Sequence, residues 1–159
     1  MRTRLPSSLV TACILALASA PVSAQTTAEA RKSYDLAIQG AKRDFLKCDA
    51  DALAAGVAED YTGVTAPGHV TKGRAGELKG DREFCAANTV TAWDATTTDF
   101  QSNGPVAWAA GILRMTYKVK ATGKVEHYAG HFLAAYDHKP GGKWFQRYFM
   151  MVPVAAEKK

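Results

Sequence analysis

The chain has 159 residues, of which 47% are hydrophobic and 22% are charged, and its formal net charge is +5 at pH 7. This length favours one compact domain with a buried core. The basic residues are scattered, with small clusters only at 72–74 and 158–159. Nucleic-acid-binding proteins concentrate basic side chains on one face, so we expect solvated surface and no nucleic-acid partner.

The first 24 residues have the pattern of a secretory signal peptide. Two arginines precede an apolar stretch at 9–20 that is too short to span a bilayer comfortably. A membrane anchor is the alternative, but the small residues that follow favour cleavage after Ala24. We therefore predict export to the periplasm or the medium, with a single domain over 25–159 and no membrane partner after cleavage. Because the segment carries two basic and no acidic residues, the net charge falls from +5 to +3.

Two cysteines remain after this cleavage, Cys48 and Cys85. An even number of cysteines in an exported chain favours a disulfide. In the chain-entropy model, a bridge across this separation stabilises an unstrained fold by about 4 kcal/mol. Two buried free thiols are the alternative.

The N-terminal half predicts three helices. The first begins at Thr27, and its apolar stripe consists of Tyr34, Ile38, Ala41, Phe45 and Cys48. Asp49 or Asp51 can cap a second helix that ends near 59–60. In this helix the apolar positions recur every four residues, at Leu53, Val57 and Tyr61. A third helix is predicted over about 74–87, weakened by two glycines and restarted by Asp81 as an N-cap.

The other segments predict strands. Residues 61–72 change period around Pro67-Gly68, which favours a short hairpin. Alternation resumes at 89–101, and three aromatic or β-branched runs follow at 106–118, 125–137 and 144–152. Turn residues separate these runs, so we predict an antiparallel meander. The fold class is therefore α+β, with N-terminal helices packed on a curved antiparallel sheet.

This order of elements resembles the nuclear transport factor 2-like (NTF2-like) superfamily. That superfamily is the cone-shaped domain of SnoaL-like polyketide cyclases, ketosteroid isomerases and a small DUF4440-type branch. Asp-Ala-Asp-Ala-Leu at 49–53 and Val-Ala-Glu-Asp-Tyr-Thr-Gly-Val at 57–64 look like its junction between helices and first hairpin. Asn-Gly-Pro-Val-Ala at 103–107 and Gly-Lys-Trp at 142–144 are similar to two of its turns. The resemblance covers 27–153 and implies a conical cavity, but one scaffold hosts many chemistries.

The catalytic residues of the isomerases do not carry over. By resemblance, the oxyanion tyrosine falls at Ala41, the general-base aspartate at Thr65 and a third acid at Gly130. Proton abstraction beside a carbonyl requires a base and an oxyanion donor, so these positions cannot perform it.

Alternation along a strand places Tyr128 and Phe132 on one face, and by resemblance this face lines the cavity. His131 then lies on the outer face, which the resemblance associates with dimers. The same reasoning groups Trp108 with Arg114 on the cavity side of the preceding strand.

An arginine on a cavity face would suit a carboxylate or enolate ligand, because its forked donors match such groups. The alternative is that Arg114 extends into water at the end of its strand. Tyr61, at the predicted mouth of the cavity, is a candidate for ligand contact or for core packing.

No metal or cofactor is expected. His127 and His131 are four residues apart, which in a strand separates them by about 13 Å, too far to share one tetrahedral ion. The sequence contains no phosphate-binding glycine loop, no Gly-x-Ser-x-Gly and no Cys-x-x-Cys.

The leading interpretation is an exported homodimer that binds a small, partly apolar molecule in its conical cavity. The candidate pocket residues are Tyr61, Trp108, Arg114, Tyr128 and Phe132. One alternative is a SnoaL-like enzyme, a cyclase, isomerase or dehydratase, in which Tyr61 and Tyr128 perform acid–base work. Another is an interaction module that uses the outer sheet face, and a cavity filled by its own side chains would favour it.

Overall fold

The computed structural model describes residues 27–65, 69–139 and 141–154. The helices in these ranges are α1 (Thr27–Lys47), α2 (Ala50–Ala55) and α3 (Gly73–Ala87). The strands are β1 (Val57–Val64), β2 (Val70–Lys72), β3 (Asn88–Asn103), β4 (Val106–Val119), β5 (Val125–Lys139) and β6 (Lys143–Pro153). The predicted signal peptide, the Pro67-Gly68 turn and the tail at 155–159 lie outside the described residues.

The six strands form one sheet in the order β2-β1-β6-β5-β4-β3. Strands β3 to β6 pair antiparallel in sequence order, so the predicted meander is confirmed. Strand β1 pairs antiparallel with β2, which confirms the short hairpin predicted for 61–72. It also pairs parallel with β6, which no local pattern in the sequence had predicted. Register shifts in β3 and β6 mark bulges, which increase the twist and bend the sheet. Helices and curved sheet together confirm the α+β prediction.

The second helix is shorter than predicted. Asp49 caps α2, since its carboxylate accepts a hydrogen bond from the backbone N–H of Ala52 at 3.0 Å, but the helix ends at Ala55. Val57 and Tyr61 lie in β1 instead. A four-residue spacing keeps two side chains on one face of a strand as well as of a helix, so the pattern was ambiguous. Pairing with β6 decides in favour of the strand.

Helix α1 lies across one end of the concave face of the sheet. Its Tyr34 is fully buried and packs edge-on against Tyr136 and Trp144 and at a tilt against Phe100. Alanines on β4 and β5 share this core and leave room for the rings. This end of the fold is therefore filled by the chain's own side chains.

The predicted disulfide is confirmed: Cys48, just after α1, is bonded to Cys85 in α3, with their Cα atoms 5.5 Å apart. The bridge ties α3 to the junction between α1 and α2. Helix α3 also packs against α2 and β1, along one rim of the sheet. We call the space between α1, α3 and the concave face of the sheet the cone.

None of the helices in the described ranges is long and apolar enough to cross a membrane.

Candidate functional site

The register between β4 and β5 decides which predicted pocket residues face the cone. Phe132 lies in the core and pairs with Gly111, so both belong to the concave face. Tyr128 is an even number of residues from Phe132 and shares that face, where it is half-buried. Trp108 and Arg114 are each three residues from Gly111 and therefore project from the outer face.

The grouping of Trp108 and Arg114 with the cavity side is therefore wrong. Alternation alone gives two possible faces for β4, and the choice depends on its pairing with β5, which is a long-range contact. The concave face of β4 carries small residues, including Ala107 and Ala109, and its bulkier neighbours point outward. Arg114 is exposed to solvent.

Tyr61 is buried on the concave side of β1. Only 1% of its surface is exposed, and its ring lies over Gly63, where an added Cβ would come within 2.9 Å of the ring. The hydroxyl of Tyr61 has no hydrogen-bond partner within the described ranges, but it is not among their fully buried polar atoms without a partner, where Nε2 of His138 is found. A residual opening to solvent at this hydroxyl makes it a candidate for contact with a bound molecule.

Two carboxyl groups on α3 lie close to this tyrosine. Glu77 and Asp81 are one helical turn apart and both are half-buried. Burial raises the pKa of Glu77, although the nearby His69 partly opposes the shift. Burial, and then the charge of Glu77, raises the pKa of Asp81 to about 7. Neither carboxyl forms an ion pair or hydrogen bond within the described ranges.

The field of these carboxylates reaches Tyr61. Burial is the main reason that the pKa of the Tyr61 hydroxyl is raised, and the charges of Glu77 and Asp81 raise it further. No positively charged group contributes to the raised pKa of this hydroxyl. We call the region formed by Tyr61, Glu77 and Asp81 the acidic end of the cone.

Sequence reasoning missed both carboxyl groups. Asp81 was interpreted as an N-cap, but α3 is continuous from Gly73 to Ala87, so its side chain is free to face the cone. A signal was present in the sequence, because Glu77 and Asp81 fall on the same helical stripe as Leu78 and Phe84. Acidic residues on the apolar stripe of a helix indicate buried rather than solvated charge.

The opposite end of the cone also contains polar groups, but these are satisfied. The hydroxyl of Tyr34 lies 3.2 Å from Oγ1 of Thr97, and Nε2 of Gln146 donates to the hydroxyl of Tyr136 at 3.1 Å. The rings of Tyr34 and Tyr136 pack edge-on with centroids 5.2 Å apart, so the two pairs are neighbours. This chain of buried groups runs from β3 to β6 and is complete without a ligand, so we assign it a structural role.

Aromatic rings lie further along the concave face, at the C-terminal half of α3. Phe84 of α3 meets Tyr117 of β4 edge-on, with ring centroids 5.2 Å apart. Tyr128 lies on the neighbouring strand, and the pairing of Tyr117 with Glu126 places both on the concave face. The partial exposure of Glu77, Asp81 and Tyr128 shows that solvent reaches this face.

Two surface grooves of about 640 Å³ lie outside the cone. One is beside the disulfide and has mixed charges, including Lys47, Asp51 and Arg82. The other, on the outer sheet face, is apolar and includes Trp108 and the exposed side chains of Leu133, Tyr148 and Met150. Trp108 therefore belongs to an outer groove and not to the acidic end.

Comparison with known proteins shows the fold. No protein-family model matches the sequence, and no curated protein is significantly similar to it. Many solved structures are similar in three dimensions. A conserved protein from Planctomyces limnophilus has a TM-score of 0.70 at 17% identity, over 78% of this chain and 97% of that one.

Two further similar structures have informative names. A ketosteroid isomerase-like protein from Erwinia carotovora atroseptica has a TM-score of 0.67 at 15% identity, over 79% of this chain and 96% of that chain. An NTF2-like superfamily protein from Salmonella enterica has a TM-score of 0.67 at 12% identity, over 82% and 95%. The chain thus has the NTF2-like fold, and at these identities the likeness extends to the fold alone.

Proposed function

We propose that the chain binds a small, partly apolar molecule at the acidic end of the cone. The observation that carries this proposal is the pair of half-buried carboxyl groups of Glu77 and Asp81, which have no hydrogen-bond or ion-pair partner in the described ranges and lie near the buried ring of Tyr61. Partial burial of polar groups without partners costs free energy, and a ligand would supply hydrogen bonds. Aromatic walls with a few convergent polar groups are typical of small-molecule sites.

Native mass spectrometry of the mature protein tests the proposal. After incubation with the small-molecule fraction of a cell extract, we expect an added mass that disappears on denaturation. Tyr128→Ala should reduce the bound fraction with little change in melting temperature, because Tyr128 is only half-buried. Tyr148→Ala is the matched control, since that tyrosine is exposed on the outer face. A protein that stays bare after incubation would contradict the proposal.

Acid–base catalysis is a second candidate function. Its specific support is Asp81, whose pKa of about 7 suits proton transfer near neutral pH. The positions that correspond to the isomerase residues, Ala41, Thr65 and Gly130, cannot supply this chemistry. An enzyme of this kind would show turnover that follows the titration of Asp81, and Asp81→Asn would abolish turnover while ligand binding remained.

We also propose that the chain is exported. The Cys48–Cys85 disulfide is compatible with an oxidising compartment. Intact mass of protein recovered from the periplasm or medium should correspond to a chain that begins at Gln25. A mass that still includes 1–24 would contradict the proposed cleavage.

A homodimer is the oligomeric state that we propose. Support comes from the apolar groove on the outer face, where about half of the surface of Leu133, Tyr148 and Met150 is exposed. Exposed contiguous apolar surface of this kind favours association. The second copy of the chain would then pack on the outer face of the sheet, and the cone on the concave face would remain open to its ligand.

A further inference from the structure

We propose that the Cys48–Cys85 disulfide is reduced by thiols in the folded protein, and that its reduction releases the C-terminal part of α3 and widens the cone. The disulfide is then a redox switch on one helix and not a bridge on which the whole fold depends. This switch acts on the position of α3, so it does not depend on which molecule the cone binds.

The disulfide lies at the surface of the fold. Both cysteines are half-buried, and both line the groove of about 640 Å³ where the C-terminal ends of α1 and α3 meet. Thiol–disulfide exchange requires that a thiolate reaches one of the two sulfur atoms. A groove lined by both cysteines gives a small thiol this access while the chain stays folded.

Two ammonium groups line the same groove. Lys47 is adjacent in sequence to the first cysteine, and Nζ of Lys120 donates to the backbone carbonyl of the second at 2.7 Å. Positive charge near a cysteine stabilises its thiolate, which is the form that leaves when a disulfide is cleaved. The partial negative charge at the C-terminal ends of α1 and α3 acts in the opposite direction, and the ammonium groups offset it. The other charged side chains of the groove are engaged, Asp51 with Arg82 at 2.7 Å and Asp49 as the cap of α2.

The backbone at Cys48 has the conformation of a glycine. At the end of α1, the N–H of Asp49 donates to the carbonyl of Asp44, and the N–H of Cys48 donates to that of Phe45, both at 3.0 Å. In this pattern of helix termination the position of Cys48 has a left-handed φ and is usually glycine. Cys48 has a φ of 53°, the only positive value outside glycine in the described ranges. A residue with a side chain is strained there, so cleavage of the disulfide removes one of the constraints that hold a strained residue in place.

Helix α3 has few other contacts to hold its C-terminal part. The structure describes all of 73–87, and none of these residues is fully buried, whereas the much shorter α2 buries three. The half-buried side chains of α3 include Leu78 and Phe84 but also Glu77 and Asp81, and partial burial of acids opposes packing. Apart from the disulfide, the contacts of its C-terminal part include hydrogen bonds from Lys120 to two carbonyls and the edge-on contact of Phe84 with β4. Without the covalent bond this part of α3 would be weakly attached.

The reaction is thiol–disulfide exchange with a dithiol as the reductant. One thiolate of the reductant attacks a cysteine sulfur and forms a mixed disulfide, while the bond between Cys48 and Cys85 breaks and the other cysteine leaves as a thiolate that takes a proton from water. The second thiol of the reductant, after losing its proton, attacks the mixed disulfide at the reductant sulfur and releases the remaining cysteine. Two electrons pass to the protein, which gains two thiols, and the reductant becomes a disulfide. Helix α3 is then fixed chiefly at its N-terminal part, through Arg74.

Hydrogen exchange of the mature protein, followed by mass spectrometry with and without dithiothreitol, tests the switch. In the absence of denaturant we expect the disulfide to be reduced, which is scored by the mass that iodoacetamide adds to the two thiols. The amides of 80–87 should then exchange about tenfold faster or more. The amides of α1 and of β4 to β6 should keep their protection, because the core around Tyr34 does not include the bridge. The variant Cys48→Ser/Cys85→Ser should show the fast exchange at 80–87 with and without dithiothreitol.

Three results would overturn the proposed switch. A disulfide that dithiothreitol reduces only at urea concentrations that unfold the chain would be enclosed by the fold. Reduction that leaves exchange at 80–87 unchanged would show that the other contacts of α3 are sufficient to hold it. Loss of protection throughout the sheet on reduction would show a bridge on which the whole fold depends. Ligand binding at the acidic end is measured separately, so none of these results contradicts the proposed function.

Discussion

At the scale of single residues, Asp81 differs strongly from its behaviour in an unfolded chain. Burial and the neighbouring Glu77 raise its pKa from 3.8 to about 7, so the folded protein holds a proton that the unfolded chain releases near pH 4. The folded state therefore binds more protons between these values, and stability falls as pH rises through this window. A carboxyl group with such a raised pKa destabilises the fold at physiological pH, because its charge is partly withdrawn from water. A destabilising residue of this kind is expected where it serves function rather than stability.

Asp81→Asn should therefore stabilise the protein in a pH-dependent way. Asparagine has no charge to desolvate, so we expect the free energy of unfolding to increase by about 1–3 kcal/mol at pH 8, a figure reduced from the full shift because solvent reaches the carboxyl. At pH 4 the change should be small. Urea unfolding at both pH values measures it, with Asp99→Asn as an exposed control. Equal destabilisation at both values would contradict the assignment.

At the scale of elements, α3 is positioned by its ends rather than by a large apolar stripe. Its C-terminal part is tied to α1 through Cys85, and its N-terminal part is fixed through Arg74, which binds Glu59 and the carbonyl of Val57. Two interior glycines, Gly76 and Gly80, lower its intrinsic helix propensity. The helix can therefore carry two half-buried acids because these contacts at both ends hold it in place.

Gly80→Ala should stabilise α3. Gly80 is exposed, and an added Cβ would have no atom within 4 Å, so the gain should be about 0.5–1 kcal/mol in urea unfolding. Gly111→Ala is the contrasting variant, because its Cβ would clash with the Thr96 carbonyl oxygen and come within 2.9 Å of the Phe132 ring. We expect that variant to be destabilised. A destabilised Gly80→Ala would indicate a closer neighbour to α3 than the structure has.

Local patterns predicted most elements but not the site. The three C-terminal strands and α1 have strong periodicity, and their predicted ranges agree with the structure to within a few residues. Val57 was assigned to a helix because its spacing from Tyr61 fits both periods. Glu77 was overlooked because charged residues on helices are usually solvated, and its burial depends on the packing of α3 against β1, which is a tertiary contact. Which face of β4 carries Trp108 likewise depends on pairing and cannot be determined from alternation.

At the scale of the whole molecule, the two faces of the sheet have different chemistry. The concave face carries the aromatic core and the acidic end, while the outer face has an apolar groove with exposed Leu133, Tyr148 and Met150. A partner on the outer face would leave the acidic end accessible. Ligand binding and association should therefore be separable by mutation.

Met150→Lys should convert the proposed dimer to a folded monomer. A charge in the centre of an apolar contact must be desolvated on association, so we expect the dimer to weaken at least tenfold. Sedimentation velocity measures the change, and Leu36→Lys on the exposed face of α1 is the control. Ligand binding measured by native mass spectrometry should be unchanged in both. A wild-type protein that sediments as a monomer would contradict the proposed dimer.

The most direct test of the central claim, that α3 directs an unpaired carboxyl pair into the cone, is the titration of both carboxyl groups by carbon-13 NMR of the ligand-free mature protein. We predict that Asp81 titrates at about 7 and that Glu77 titrates above its ordinary range. Titration of both groups near pH 4 would show that they are solvated, and the acidic end would not be a binding site.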